Sequence, residues 1–254
     1  MKKIKKNKKI GLALGGGAVL GAAHIGVLKA IEEFDISIHC IAGTSIGAFV
    51  SAFYANGKGW EEIRDIALDL KWLDLSGLSI SKLGLLSNDK MGKLVEKHLG
   101  KSNIEDANIP LAMIATNIAS GEKIVLQKGS TAEAVMASTC IPGIFSPEEI
   151  NGNMLVDGGI VENVPVSPLK EMGADIIIAV DLNSGHKEKK PENIVEILLR
   201  TFDFLIKTST DLQRGKSQIL IAPDLSDFNL VDIGQAPDLI EKGYSQAVSV
   251  FKKH

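Results

Sequence analysis

Ser45 stands in Gly43-Thr44-Ser45-Ile46-Gly47, the spacing G-x-S-x-G. Where that spacing joins a strand to a helix, the tight turn lifts the serine oxygen clear of the backbone and the flanking glycines leave room for it. The helix start behind the serine favours negative charge developing on the oxygen. Two further groups supply what acyl transfer needs besides a nucleophile. Asp157 ends a short apolar run and is followed by Gly158 and Gly159, which let another backbone or a substrate approach it. Gly15, Gly16 and Gly17 form a turn free of side chains. Such a turn can offer backbone N–H groups to a tetrahedral oxyanion, each donor lowering the barrier by roughly 2.7 to 4 kcal/mol. The five histidines, His24, His39, His98, His186 and His254, are less distinctive. In the chain order serine, acid, histidine, only His186 and His254 follow Asp157; one lies in a charged loop and the other is the last residue. His24 reads as a packed or capping residue of the first helix.

The elements that must position these groups can be read from the hydrophobic pattern. Ile10 to Leu14 is a buried strand, Gly15 to Gly17 a turn, and Ala18 to Phe34 a helix with apolar residues at helical spacing. Strand, tight turn and helix then recur, with Ile36 to Ala42, the Ser45 pentapeptide and Ala48 to Ala55. Trp60 to Leu70 and Asp89 to Leu99 are amphipathic, the second capped by Ser87 or Asn88. Leu111 to Asn117 and Lys123 to Leu126 read as strands around Ser120-Gly121, and Thr131 to Ser138 as a helix. Met154 to Val156 runs as a strand into Asp157. Ile176 to Val180 is a fully apolar strand of the buried parallel type, and Pro237 to Lys252 a final amphipathic helix. Strands alternating with helices predict an α/β layered fold. Lys71 to Leu86, apolar yet broken by Ser and Gly, reads as an irregular covering segment that lines a pocket, touches a bilayer or packs as ordinary core. Asn183 to Asn193 resembles a mobile loop. Residues 10–254 form one expected domain behind a basic tail, residues 1–9.

Composition removes several classes. Across 254 residues, 28 Lys plus Arg face 31 Asp plus Glu, a net charge of -3, which argues against a nucleic-acid binder. Cys40 and Cys140 alone make no disulfide scaffold and fit a reducing compartment. The chain starts with six lysines in nine residues, then stays apolar from Ile10 to Leu28 apart from His24. Six glycines interrupt that stretch, each disfavouring helix by about 1 kcal/mol relative to Ala, so it reads as strand, turn and helix rather than a membrane span. The lysine tail is a solvated tail or an attraction for anionic lipid. The dinucleotide pattern G-x-G-x-x-G fails at Leu20 or Ala18 depending on register, and Gly215-Lys216-Ser217 lacks the phosphate loop's first glycine, since Thr210 stands there.

Taken together, Leu14-Gly15-Gly16-Gly17, Ala22-Ala23-His24-Ile25-Gly26-Val27-Leu28, the Ser45 pentapeptide, and Asp157-Gly158-Gly159 followed by Asn163-Val164-Pro165 resemble the bacterial patatin-like phospholipases, in order and spacing from about Ile10 to Val180. The resemblance implies a three-layer α/β/α sandwich with a mostly parallel central sheet. It implies a Ser-Asp dyad with Ser45 as nucleophile and Asp157 as direct general base, and an oxyanion hole from the amides of Gly15, Gly16, Gly17 and Ala18. Gly43, Thr44, Ile46 and Gly47 then form the nucleophile elbow, and Gly158 and Gly159 the acid motif. The implied activity is acyl-ester hydrolysis of phospholipids, lysophospholipids and related lipids, with no metal or other cofactor at the dyad. Expected partners are the lipid substrate and, peripherally, a membrane; the expected location is cytoplasmic, with peripheral contact at the inner face of the membrane. Many bacterial relatives carry arginine where this chain has Leu20. Two alternatives follow: a weakly active or silent lipid-binding or regulatory protein on the same fold, or a Ser-His-Asp esterase using His186.

Overall fold

Strand β1, Ile10–Leu14, is buried at every residue and is an interior strand of the sheet. In the computed structural model, which describes residues 8–68, 86–183, 190–192, 194–213 and 217–254, it pairs in parallel with β2, Cys40–Thr44, on one side and with β7, Ile176–Val180, on the other. Beyond β2 comes β3, Leu111–Asn117, and beyond β7 comes β8, Ile219–Ile221, both again parallel. Antiparallel strands β4, Lys123–Leu126, β5, Glu148–Ile150, and β6, Asn153–Asp157, complete an eight-stranded sheet among the described residues.

The alternation of side chains along the parallel strands divides the core in two. Leu12, Leu14, Ile41, Met113, Ile178 and Val180 face one layer, with helices α1, Ala22–Glu33, α2, Ile46–Ala55, and α9, Ala236–Phe251. Ala13, Ala42, Ala112, Ile177 and Ala179 face the other, where Leu169 and Val166 of the short helix α7, Val166–Glu171, cover them. Phe49 and Phe53 of α2 are fully buried and meet edge to face at 4.8 Å. Helices α3, Trp60–Leu68, α4, Asp89–Leu99, and α5, Thr131–Ser138, pack around the first layer. The segment α6, Gly159–Glu162, follows β6 directly, and α8, Ile194–Gln213, lays Leu199, Phe202 and Ile206 against Ile141 and Phe145 as a third cluster.

The structure corrects several boundaries. The helix expected from Ala18 begins as a 3-10 turn, Ala18–Gly21, because Ala18 has a positive φ of 50° and cannot open an α-helix; α1 starts at Ala22. The strand expected at Ile36 to Ala42 lies later, at Cys40–Thr44, where its backbone is in register with Gly11 to Leu14. Ile36 instead donates its N–H to Ile31 at the end of α1. For α4, Asn88 is the cap residue but makes no side-chain cap bond, while the Ser87 hydroxyl accepts from the N–H of Asp89 at 3.1 Å. The lysine tail through residue 7, the covering segment at 71–85 and His186 lie outside the described residues.

Candidate active site

Strand β3 has three neighbours, and their registers put Ser45 beside Asp157. β4 pairs with Met113 to Thr116, overlapping β2 at Met113 and Ile114 and β6 at Ala115 and Thr116. A strand has two edges, so β2 and β6 share the edge opposite β4, one ending where the other begins. Thr44 is the last residue of β2 and faces Ile114; Asp157 is the last of β6 and faces Ala115. Consecutive residues of β3 thus bring the serine turn and the carboxylate together at the carboxyl end of β2, where ligand sites of such sheets lie.

Ser45 holds φ 55° and ψ -127°, a strained conformation for a residue with a side chain, costing about 1–3 kcal/mol. Its surroundings fix it. The Ser45 N–H donates to the Ser138 hydroxyl at 2.9 Å, and Ser138 donates in turn to the Ile114 carbonyl at 2.6 Å. The Ser45 carbonyl accepts from the N–H groups of Ala48 and Phe49, starting α2. The Thr44 hydroxyl donates to the Glu162 carbonyl at 2.8 Å, tying β2 to the segment after Asp157. Gly47 is required by close approach: a methyl group there would lie 2.1 Å from the Leu14 carbonyl oxygen.

Asp157 is wholly buried. Its Oδ1 accepts from the N–H of Gly159 at 2.8 Å, and its backbone is pinned by the Thr116 hydroxyl, which donates to the Asp157 carbonyl at 2.9 Å. Oδ2 is buried and completes no hydrogen bond. Burial raises the carboxyl from 3.8 to about 7, against the opposing effects of the Ser45 side chain and the Gly159 N–H. The two side chains are therefore in electrostatic contact without a well-formed hydrogen bond, a geometry usual for catalytic pairs before substrate binds. No histidine among the described residues hydrogen-bonds to either.

The glycine turn lies alongside, with Gly16 against the Ser45 Cβ. Its donors are fewer than the four amides implied by the resemblance. The Gly15 N–H continues the sheet to Val180 at 3.1 Å, and the Gly16 N–H is held by Asn163, by Oδ1 at 3.1 Å and the carbonyl at 3.4 Å. The amides of Gly17 and Ala18 have no such partner among the described residues. His24, fully buried, bonds the Gly15 carbonyl through Nε2 at 2.7 Å. A carbonyl only accepts, so Nε2 carries the proton. Burial keeps the ring neutral, lowering it from 6.5 to about 4. His24 is packed, as its sequence context indicates, but it also orients this turn. Leu20 is fully buried in the core and lines no part of the cleft.

A cleft opens over Gly17, Ala18 and Ser45, walled by Ile141, Phe202 and Leu230. Ser138 and the α8 walls gave no sequence signal, since one is a small helical residue and the others look like any amphipathic face. Asn163 stands in Asn163-Val164-Pro165, but nothing in that tripeptide marks its hold on the Gly16 N–H.

Residues 12–170 match the family model described as Patatin-like phospholipase. The chain belongs to the patatin-like phospholipase family. Within it, an uncharacterized NTE family protein of Mycobacterium tuberculosis is 37% identical over 182 residues, 70% of this chain and 50% of that protein. Lysophospholipase NTE1 of Cryptococcus neoformans is 36% identical over 183 residues, 70% of this chain and 11% of its own length. The chain thus spans half or less of these curated relatives. Among solved structures, VipD from Legionella pneumophila superposes with a TM-score of 0.66 at 15% identity, covering 97% of this chain and 67% of VipD. ExoU from the Pseudomonas aeruginosa type III secretion system gives 0.53 at 15% identity, covering 97% and 52%. Both likenesses concern the fold, the three-layer α/β/α patatin sandwich with its mostly parallel sheet. No helix among the described residues is long and apolar enough to cross a membrane.

Proposed function

We propose that this patatin-like protein hydrolyses acyl esters of lipids, phospholipids or lysophospholipids, through an acyl-enzyme on Ser45 with Asp157 as general base. The observation that carries this reading is the buried Asp157 Oδ2, without a hydrogen bond and in electrostatic contact with Ser45. Ionised Asp157 accepts the Ser45 hydroxyl proton as Oγ attacks the acyl carbonyl carbon. The carbonyl oxygen becomes an oxyanion facing the N–H groups of Gly17 and Ala18. Collapse breaks the bond to the alcohol, which leaves with the proton from Asp157. A water molecule then gives its proton to Asp157 and attacks the acyl ester, and collapse releases the fatty acid as Ser45 regains its proton. Ala18, Ile25, Ile46 and Phe49 line a small apolar depression that shares Ala18 with the cleft, an apolar surface for the start of an acyl chain. Such a substrate is met at the surface of a bilayer or micelle, in peripheral contact.

The test is hydrolysis of p-nitrophenyl butyrate and of a lysophospholipid by purified protein. Turnover should fall by more than about a thousandfold in Ser45→Ala. Equal turnover by the parent and Ser45→Ala would overturn the assignment.

A further inference from the structure

The Gly15–Gly16 peptide is held at both ends by buried side chains from other parts of the chain. Its carbonyl accepts from His24 Nε2 at 2.7 Å, and its N–H donates to Asn163 Oδ1 at 3.1 Å. Asn163, wholly buried, is held in turn. Its Nδ2 donates to the Thr210 hydroxyl oxygen at 3.2 Å, and that hydroxyl donates to the Ile206 carbonyl at 2.9 Å. A hydroxyl has one proton, and the Ile206 carbonyl takes it, so the Thr210 oxygen accepts from Asn163 and fixes which end of the amide faces Gly16. A line of hydrogen bonds therefore runs from α8, whose Phe202 and Ile206 line the Ser45 cleft, through Asn163 to the glycine turn. Gly16 is wedged at the end of this line, where a methyl group would lie 2.7 Å from Asn163 Oδ1 and 3.1 Å from the Ser45 Cβ. On the far side of the turn the Gly17 carbonyl accepts from the Leu20 N–H at 3.1 Å. Only the Gly16–Gly17 peptide lies between the two holds.

We infer that Asn163 and Thr210 are positioning residues for acyl transfer: together they hold the Gly15–Gly16 peptide at the angle that turns the Gly17 and Ala18 N–H groups toward the oxyanion. The inference rests on the lipid-ester reading of Ser45. A turn of three glycines has no side chains to restrict its own dihedrals, and Ala18 at φ 50° keeps that conformation only where its surroundings impose it. Oxyanion donors act by being aimed before the charge appears, and a misplacement of about 1 Å costs on the order of a hundredfold in rate. Neither Asn163 nor Thr210 lines the cleft, so each acts through the turn. Acylation and deacylation both pass through an oxyanion, and both depend on this aim.

Steady-state hydrolysis of p-nitrophenyl butyrate by purified variants tests this, with urea unfolding to show that each is folded. Thr210→Val keeps the shape and removes the hydroxyl; kcat should fall about tenfold with KM within about twofold of the parent, and Thr210→Ser should restore kcat. Asn163→Ala leaves the Gly16 N–H only the 3.4 Å bond to the main-chain carbonyl of residue 163 and should lower kcat about a hundredfold. The Thr210 pair carries the test alone if Asn163→Ala does not fold. A trifluoromethyl ketone reads the oxyanion itself: the Ser45 oxygen adds to its carbonyl carbon, the hydroxyl proton passes to Asp157, and a tetrahedral alkoxide remains. Its inhibition constant should rise by the factor by which kcat falls, while that of butyrate stays unchanged. Parental kcat in Thr210→Val, or a lower kcat with the ketone bound as tightly as before, would overturn the positioning role and leave Ser45 as nucleophile. Absence of Ser45-dependent turnover in the parent would instead remove the hydrolase reading, and with it the oxyanion that these residues serve.

Discussion

The Ser45 turn is held by groups that do not react. Ser138 accepts from the strained Ser45 amide and donates to Ile114, so Ser138→Ala leaves two buried backbone groups without partners. That deletion should destabilise the protein by about 1–3 kcal/mol in urea unfolding and slow acylation of Ser45. A variant as stable and as fast as the parent would show that the elbow does not depend on this bond. Asp157, raised by burial to about 7, serves as a base only when ionised. The pH profile of kcat/KM should therefore rise with pH and level off above about 7; a flat profile from about pH 5 to 9 would contradict a carboxylate base so strongly perturbed. At this scale the sequence was informative where chemistry needs a rare spacing, as at Ser45 and Asp157. It was silent on which glycine-turn amides stay free, because that depends on Asn163 and Val180 arriving from distant parts of the chain.

At the scale of elements, the site depends on β2 ending where β6 begins along β3. The strands themselves were legible from apolar runs bounded by turns: Leu111–Asn117, Lys123–Leu126 and Ile176–Val180 have the bounds that the pattern predicts. Their registers were not, since pairing between distant segments, such as Ala115 with Asp157 or Ile10 with Ile176, leaves no local mark. Helix α8 passed unread because its outward face is apolar as well, with Ile194, Ile197, Phe204 and Leu205 exposed, which blurs the amphipathic signal. The junction has a direct test at Gly47. Gly47→Ala puts a methyl group 2.1 Å from the Leu14 carbonyl and must push α2 away from β1. The expected result is a loss of about 1–3 kcal/mol or more in thermal or urea unfolding, with esterase activity falling alongside. An unchanged midpoint would mean that α2 has slack at its start.

For the whole molecule, two buried groups set opposing pH dependences. Folding raises Asp157 from 3.8 to about 7, so its contribution to stability is full below about 3.8 and is lost as pH rises to about 7. Folding lowers His24 from 6.5 to about 4, so its contribution is full above 6.5 and is lost as pH falls to about 4. Where the windows overlap the two slopes, ~1.4 kcal/mol per pH unit each, oppose one another. Asp157→Asn removes one of them. Its stability should climb more steeply with pH than the parent's in urea titrations between about pH 4.5 and 6.5, and should exceed the parent's at about pH 8. Parallel curves would show that Asp157 carries no such penalty. Intact-mass detection of a fluorophosphonate adduct tests the acyl-transfer dyad most directly. The parent should gain one adduct, Ser45→Ala none, and Asp157→Ala should react far more slowly than the parent. An adduct that persists in Ser45→Ala, or forms in Asp157→Ala at the parental rate, would contradict it.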